Sequence, residues 1–346
     1  MKPRLLLVFC LFSISSCLTQ TIVHPDHINL NELERNRIHK KFLGVGHDAL
    51  GNEIKLPILI AKGSSETPVL GLTAAIHGNE LNGVKIIHDV FKEINVDSLQ
   101  GIIVAVPGLN PLGISNFQRE YVDGTDLNRI FPGKANGNRS EQLVHQIATK
   151  IIPYFDYHID LHTASFGRVN TLYGRGDMGD QELAQMLTTL QPEIVVSNKG
   201  NPSFGSSKSM TLRAYATSQG IKSITMEFGN PQVFQKKMIE KGVKGIQDVM
   251  VHLNMIKGQI SPSKLKYVCD KSYWLYTKEG GYLEVLVELG DLVGKNQRIA
   301  ILRDSFGEMI KEYRTQESGI VIGKSTNPVS ISGSRIIHLG VLSKKE

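Results

Sequence analysis

A chain of 346 residues, 41% of them hydrophobic and 21% charged, is long enough to bury a sizeable core and to divide into two domains. Its formal charge of +6 includes Lys2 and Arg4 at the N-terminus, and no block of Lys or Arg is interleaved with aromatics, so the surplus gives no argument for nucleic acid. Of three cysteines, Cys10 and Cys17 lie near the N-terminus and only Cys269 lies beyond, which excludes a disulfide framework.

Residues 1–17 have a basic start, an apolar run from Leu5 to Phe12 and small residues up to Cys17, the pattern of a secretory leader whose apolar run is too short to cross a bilayer. Ile14-Ser15-Ser16-Cys17 resembles a bacterial lipobox. The expectation is export to the periplasm or anchoring to the envelope through a lipidated Cys17, with an ordinary cleaved leader as the alternative. Residues 18–40 are polar and charged and read as a tether or an arm.

Leu56 to Lys62 and Val69 to Ile76 read as strands, Val84 to Ile94 as a helix, and Gly101 to Val106 as a third strand ended by Pro107 and Gly108. Asn110 to Gly137 is rich in Gly, Pro, Asn and Asp without sustained periodicity, a long irregular loop of the kind that usually carries function. Asn138 reads as the cap of a helix from Ser140 to Ile152. A strand, Phe155 to His162, leads into a polar excursion through Arg175, a helix from Gln181 to Leu190 and a short strand, Ile194 to Ser197. A Gly/Ser loop over 198–209, a helix from Met210 to Gln219, a strand from Ile221 to Glu227 and a long helix from Val233 to Ile256 follow. Strands alternating with helices predict a largely parallel sheet covered on both faces.

At Ser261-Pro262-Ser263 the character changes, and residues 265–346 carry short β runs at Tyr282 to Leu289, Gln297 to Leu302, Gly319 to Ile322 and Arg335 to Leu339. The organisation expected is therefore a leader over 1–17, an arm over 18–40, a catalytic domain over 41–260 and an all-β domain over 261–346. Gly280 to Leu302 resembles the barrel-sandwich fold of biotin and lipoyl carriers. The turn where those carriers present a modified lysine here reads Arg303-Asp304-Ser305-Phe306-Gly307-Glu308, so no carried cofactor is implied.

The chemistry centres on Leu70 to Gly83, LGLTAAIHGNELNG, an apolar strand that breaks into His77 and Glu80 between Gly78 and Gly83, glycines that free the backbone to bring the two side chains together. An imidazole and a carboxylate at this spacing suggest a metal, and hydrolytic zinc sites use three such ligands with one position open. The third candidate is His162, which ends a strand where Phe155, Tyr157, Ile159 and Leu161 alternate with polar residues. Taken singly, His-x-x-Glu is often a helix-surface pair and a lone strand histidine is often structural. Two further segments, DGTDLNRIFPG from Asp123 to Gly133 and SITMEFGN from Ser223 to Asn230, add an arginine and a strand-terminal glutamate.

In this order HGNE, DLNR, DLHT and the strand-terminal Glu resemble the succinylglutamate desuccinylase and aspartoacylase family, a deacylase branch of the zinc carboxypeptidase clan, over roughly residues 40–346. The resemblance implies an α/β fold with a mixed, mostly parallel sheet flanked by helices, and a smaller C-terminal all-β, barrel-sandwich-like domain that narrows the cleft. It implies one Zn²⁺ per chain on His77, Glu80 and His162, with Glu227 as general base and then acid. Asn128 and Arg129 would bind a substrate carboxylate, Arg119 would polarise the scissile carbonyl, and Arg168 and Asn170 would lie on the substrate side. The spacing from Arg119 to DLNR is longer than in aspartoacylase. Asp160 could orient a ligand, and His158 reads as structural. The activity implied is a zinc-dependent amidohydrolase acting on a small N-acylated amino acid or related carboxylate-bearing amide, with no nucleic-acid partner and membrane contact only through Cys17. A zinc carboxypeptidase acting on peptides and a non-catalytic, lipid-anchored binding protein are the alternatives.

Overall fold

The computed structural model describes residues 28–200 and 209–343, so the leader, Cys10, Cys17 and most of the Gly/Ser loop lie outside the described residues. The described chain begins packed on the domain: Ile28, Leu30 and Leu33 are buried, and the buried Lys62 Nζ donates to the Leu30 carbonyl at 2.8 Å.

In chain order the first half carries β1 (Arg37–His47), β2 (Glu53–Lys62), β3 (Val69–Ala74), α1 (Asn82–Glu93), β4 (Ile102–Val106), α2 (Pro111–Ser115), α3 (Arg139–Lys150) and β5 (Tyr157–His162). It continues through β6 (Arg168–Asn170), β7 (Leu172–Gly176), α4 (Gln181–Thr189), β8 (Ile194–Ser197), α5 (Leu212–Ser218), β9 (Lys222–Phe228) and α6 (Lys236–His252). The described chain beyond is all β: β10 (Tyr267–Tyr276), β11 (Gly281–Val285), β12 (Leu292–Val293), β13 (Arg298–Arg303), β14 (Met309–Arg314), β15 (Gly319–Ser325), β16 (Val329–Ser330) and β17 (Arg335–Leu342).

The central sheet is mixed, with a parallel block β4-β3-β5-β9 at its heart. Every residue of β3 is buried, as a strand covered by helices on both faces requires. On one face Leu70 and Leu72 pack with Ile86 and Ile87 of α1 and Val243 and Ile246 of α6. On the other, Val104 and Val106 pack with Leu143 and Ile147 of α3 and Leu212 of α5. Helix α3 starts on a reciprocal capping box, in which Asn138 and Glu141 each satisfy the other's backbone N–H.

The C-terminal all-β region is continuous with this sheet. Strand β10 pairs in parallel with β8, Tyr267 opposite Ile194, and leads on to β17, β15 and β12. A second sheet, β14-β13-β11-β16, closes over a core that includes Leu283, Val293, Ile299, Ile337 and Leu339.

Some elements differ from the sequence expectation. The stretch Arg37–His47 is a strand paired along its length with β2, but only Leu43 is fully buried, so it lacks the apolar alternation of a core strand. The excursion after His162 holds β6 and β7. Strand β7 reads as loop because Gly174 and Gly176 interrupt it; each sits where a Cβ would fall within 3 Å of the Leu187 side chain. The loop Asn110–Gly137 contains α2 and a single helical turn, Leu127–Arg129.

Candidate active site

Strands β3, β5 and β9 deliver their carboxyl ends to one edge of the sheet. Leu161 lies opposite Ala74, and His162 lies opposite Glu227, so backbone register alone sets the imidazole beside the carboxylate. Beyond β3 the chain turns through Ala75, whose φ of 53° is a left-handed conformation that costs an L-residue energy and commonly marks a functional turn. The expectation that Gly78 and Gly83 supply unusual backbone angles is not met, since neither is in the left-handed region. Both are needed for close approach instead: a Cβ on Gly78 would lie 2.1 Å from the Gly113 carbonyl carbon, and one on Gly83 would lie 2.7 Å from Leu161 Cβ.

His77, Glu80 and His162 are buried, and their ligand atoms lie within 4.8 Å of one another. Glu80 Oε1 is 2.9 Å from His77 Nδ1, and Glu80 Oε2 is 2.9 Å from His162 Nδ1. Each imidazole is held from behind: His77 Nε2 meets Asp126 at 3.1 Å and His162 Nε2 meets Asp160 at 2.7 Å. This carboxylate–imidazole backing is the arrangement that fixes ring orientation around metal ions.

The Arg119 guanidinium reaches the same donors, 3.2 Å from His77 Nδ1, 3.0 Å from Glu80 Oε1 and 2.9 Å from Asp126 Oδ2. Arginine only donates, so the Glu80 and Asp126 carboxylates accept from it. The donor set thus already draws in a cation, and its two Nδ1 atoms and one carboxylate fit a divalent ion of zinc type. For His162, burial opposes the charged form, but Asp160 and Glu80 outweigh it and hold the ring well above the usual imidazole range. Asp126, although burial opposes its ionisation, is held far below the usual carboxylate range by His77 and Arg119.

Glu227 accepts from Asn170 Nδ2 at 3.1 Å. Burial raises its carboxyl above the ordinary value, with nearby Glu80 adding to the shift and His162 opposing it. Across the β7–β9 pairing it faces Tyr173, whose hydroxyl accepts from Arg175 Nη2 at 3.1 Å. Asn128 Oδ1 accepts from Leu212 N at 2.6 Å, Arg129 beside it donates to the Asn128 carbonyl at 2.7 Å, and both residues line the cavity. His158 is structural: buried between Thr73 and Ser223, its pKa is pushed by burial down to about 4.

These groups line one cavity of about 880 Å³, which holds His77, Glu80, Arg119, Asn128, Arg129, His162, Arg168 and Glu227 together. Every site residue expected from the sequence is therefore brought to one place. The sequence reading missed Ser165, which donates to Glu80, the Tyr173–Arg175 pair, and the buried Arg213, which donates to Asn198. It also missed Trp274, Arg335 and His338, which the C-terminal region contributes to the wall. A usable signal existed for Trp274, the one tryptophan of the chain.

A mixed sheet flanked by helices, with a buried His–Glu–His set at its carboxyl edge and an all-β region beyond, is the architecture of a class of amide-bond deacylases. The succinylglutamate desuccinylase/aspartoacylase catalytic domain matches residues 66–253, and the chain belongs to that family. It is 23% identical over 280 residues, 78% of this chain and 81% of the other, to an N-alpha-acetyl-L-2,4-diaminobutyric acid deacetylase of Halomonas elongata. In fold it is similar to the ectoine utilization protein EutE (DoeB) from Ruegeria pomeroyi, with a TM-score of 0.80 at 19% identity over 89% of this chain and 97% of that one. A succinylglutamate desuccinylase/aspartoacylase from Rhodobacter sphaeroides gives a TM-score of 0.79 at 20% identity over 91% and 98%.

Proposed function

We propose that the protein is a zinc-dependent amidohydrolase that removes the acyl group from a small N-acylated amino acid or a related carboxylate-bearing amide. The observation that carries this reading is the convergence of buried His77, Glu80 and His162 with Glu227 in register on the neighbouring strand. Zn²⁺ held by those three residues, one ion per chain, would supply a Lewis acid that brings the ionisation of water near pH 7. Glu227, its carboxyl raised by burial, takes the proton of the attacking water and returns it to the leaving nitrogen. Arg119, fixed by Asp126 and Glu80, presents its guanidinium to the scissile carbonyl and to the charge that develops there. Arg129 and the Asn128 amide offer the planar donors that a substrate carboxylate matches.

The carboxypeptidase alternative needs the same groups, and the wall built by Trp274, Tyr276 and Arg335 favours a small substrate over a long peptide. Metal-loaded protein should release amine from a panel of N-acyl amino acids, lose that activity on chelation, regain it with Zn²⁺ and leave peptide C-termini intact. Efficient C-terminal trimming would select the carboxypeptidase. Stoichiometric zinc with no turnover of either class would select a binding protein. We further propose export with anchoring at Cys17; replacing Cys17 by Ser should move the protein from the membrane to the soluble periplasmic fraction, and a wild-type protein already soluble there would refute the anchor.

A further inference from the structure

Strands β7 and β9 set four side chains in a square on the cavity wall, and the catalytic reading uses only Glu227. Their antiparallel pairing places Tyr173 opposite Glu227 and Arg175 opposite Thr225, and all four residues line the cavity. Alternation along β7 turns Gly174 and Gly176 the other way, where a Cβ on either would fall within 3 Å of the Leu187 side chain. Tyr173 and Arg175 are therefore held beside the carboxylate by strand register.

The hydrogen bonds of this square run in one direction. Arg175 Nη2 donates to the Tyr173 hydroxyl at 3.1 Å, and the Arg175 guanidinium carbon lies 5.2 Å from the centroid of the same ring. Among the described residues that guanidinium spends its hydrogen bond on a phenol, although Glu80, Asp126 and Glu227 line the same cavity. A hydroxyl that accepts from a cation still has its own proton to give. Burial raises the Tyr173 phenol above its ordinary value; Arg175 opposes the shift, and the charge of Glu227 together with a hydrogen bond to it adds to the rise. The proton thus stays on the hydroxyl, facing Glu227. Asn170 Nδ2 meets the same carboxylate at Oε2, 3.1 Å away. Hydrogen bonds in such a chain polarise one another, so a cation on the phenol oxygen strengthens what the hydroxyl donates.

We propose that Tyr173 is a positioning residue for Glu227: its hydroxyl, polarised by Arg175, donates to the carboxylate and, with Asn170, fixes the direction in which the remaining lone pairs meet the attacking water. Arg175 acts through Tyr173 and not by binding substrate. The role in turnover rests on the deacylase reading, whereas the contact between Tyr173 and Glu227 does not.

Double-mutant cycles separate a group that acts through Glu227 from one that touches substrate. On the best N-acyl amino acid, Tyr173→Phe should lower kcat about tenfold, the scale of one hydrogen bond to a charged group, with KM and zinc content close to wild type. In Glu227→Gln protein the same substitution should add little, because the carboxylate it positions is gone. Arg175→Gln should lower kcat by a smaller factor, add nothing to Tyr173→Phe, and be largely rescued by Arg175→Lys, which keeps the cation. Unchanged kcat in Tyr173→Phe would overturn the proposal. A Tyr173→Phe loss that persists in full in Glu227→Gln would place the hydroxyl on the substrate and overturn it as well, as would a KM raised by Arg175→Gln in Tyr173→Phe protein.

A readout independent of turnover is the NMR signal of tyrosine isotope-labelled at the ring ζ carbon. The signal missing from Tyr173→Phe identifies Tyr173, and in the full-length protein it should move in both Glu227→Gln and Arg175→Gln. A Tyr173 signal that stays in place in Glu227→Gln would overturn the contact even if N-acyl amino acids are hydrolysed. Movement of that signal in a protein that hydrolyses none of them would leave the contact standing and refute the deacylase reading.

Discussion

Two regions build the cavity in different ways. The metal-ligand side is assembled by parallel strands that end together: β3 leads to His77 and Glu80, β5 ends in His162, and β9 sets Glu227 opposite His162. The opposite contribution comes from antiparallel pairing across a long sequence separation, in which β15 of the C-terminal region holds β6 with Ser325 opposite Arg168 and Gly323 opposite Asn170. Asn170 then donates to Glu227. His77, Glu80 and His162 are thus fixed by the core of the central sheet, while the environment of Glu227 depends on the C-terminal region.

This contrast can be broken from either side. The largest effect is expected on the ligand side, where His162→Ala removes one of three donors; metal analysis should show loss of bound zinc, and amide hydrolysis should fall below detection. Asp126→Asn leaves the ligands in place but weakens the backing of His77 Nε2, and zinc affinity measured by competition with a chelator should drop about 10- to 100-fold. On the C-terminal side Gly323→Ala sets a Cβ 2.5 Å from Asn170 Oδ1. The amide must shift away from Glu227, so kcat should fall about tenfold while zinc content stays at the wild-type level. A Gly323→Ala protein with unchanged kcat would show that β6 does not govern the base.

The same contrast explains what the sequence made legible. His77 and Glu80 follow an apolar strand, so the change from buried run to polar residue announces them, whereas His162 and Glu227 end strands in which apolar residues alternate with polar ones. Strands β3 and β4 were readable because a strand buried on both faces is apolar nearly throughout, and β5 was readable from its period-two alternation. Trp274, Arg335 and His338 carry no such mark. They meet Arg168 only through strand pairings whose register depends on side chains and bulges far along the chain, such as the shift between Trp274 and Tyr276 in β10. Strand β7 was hidden by its glycines, which exist to admit Leu187, a contact that local pattern does not reveal. The edge strand β1 was hidden because only one of its residues needs to be fully buried.

The central claim is that one buried ligand set and one carboxylate act together in amide hydrolysis, and Glu227→Gln tests it most directly. Glutamine keeps the size and much of the hydrogen bonding of Glu227 but cannot take a proton. Measured on the same sample, zinc should remain at one ion per chain while kcat for the best N-acyl amino acid falls at least about a hundredfold. Near-normal kcat in a zinc-loaded Glu227→Gln protein would contradict the account and leave proton transfer to another group.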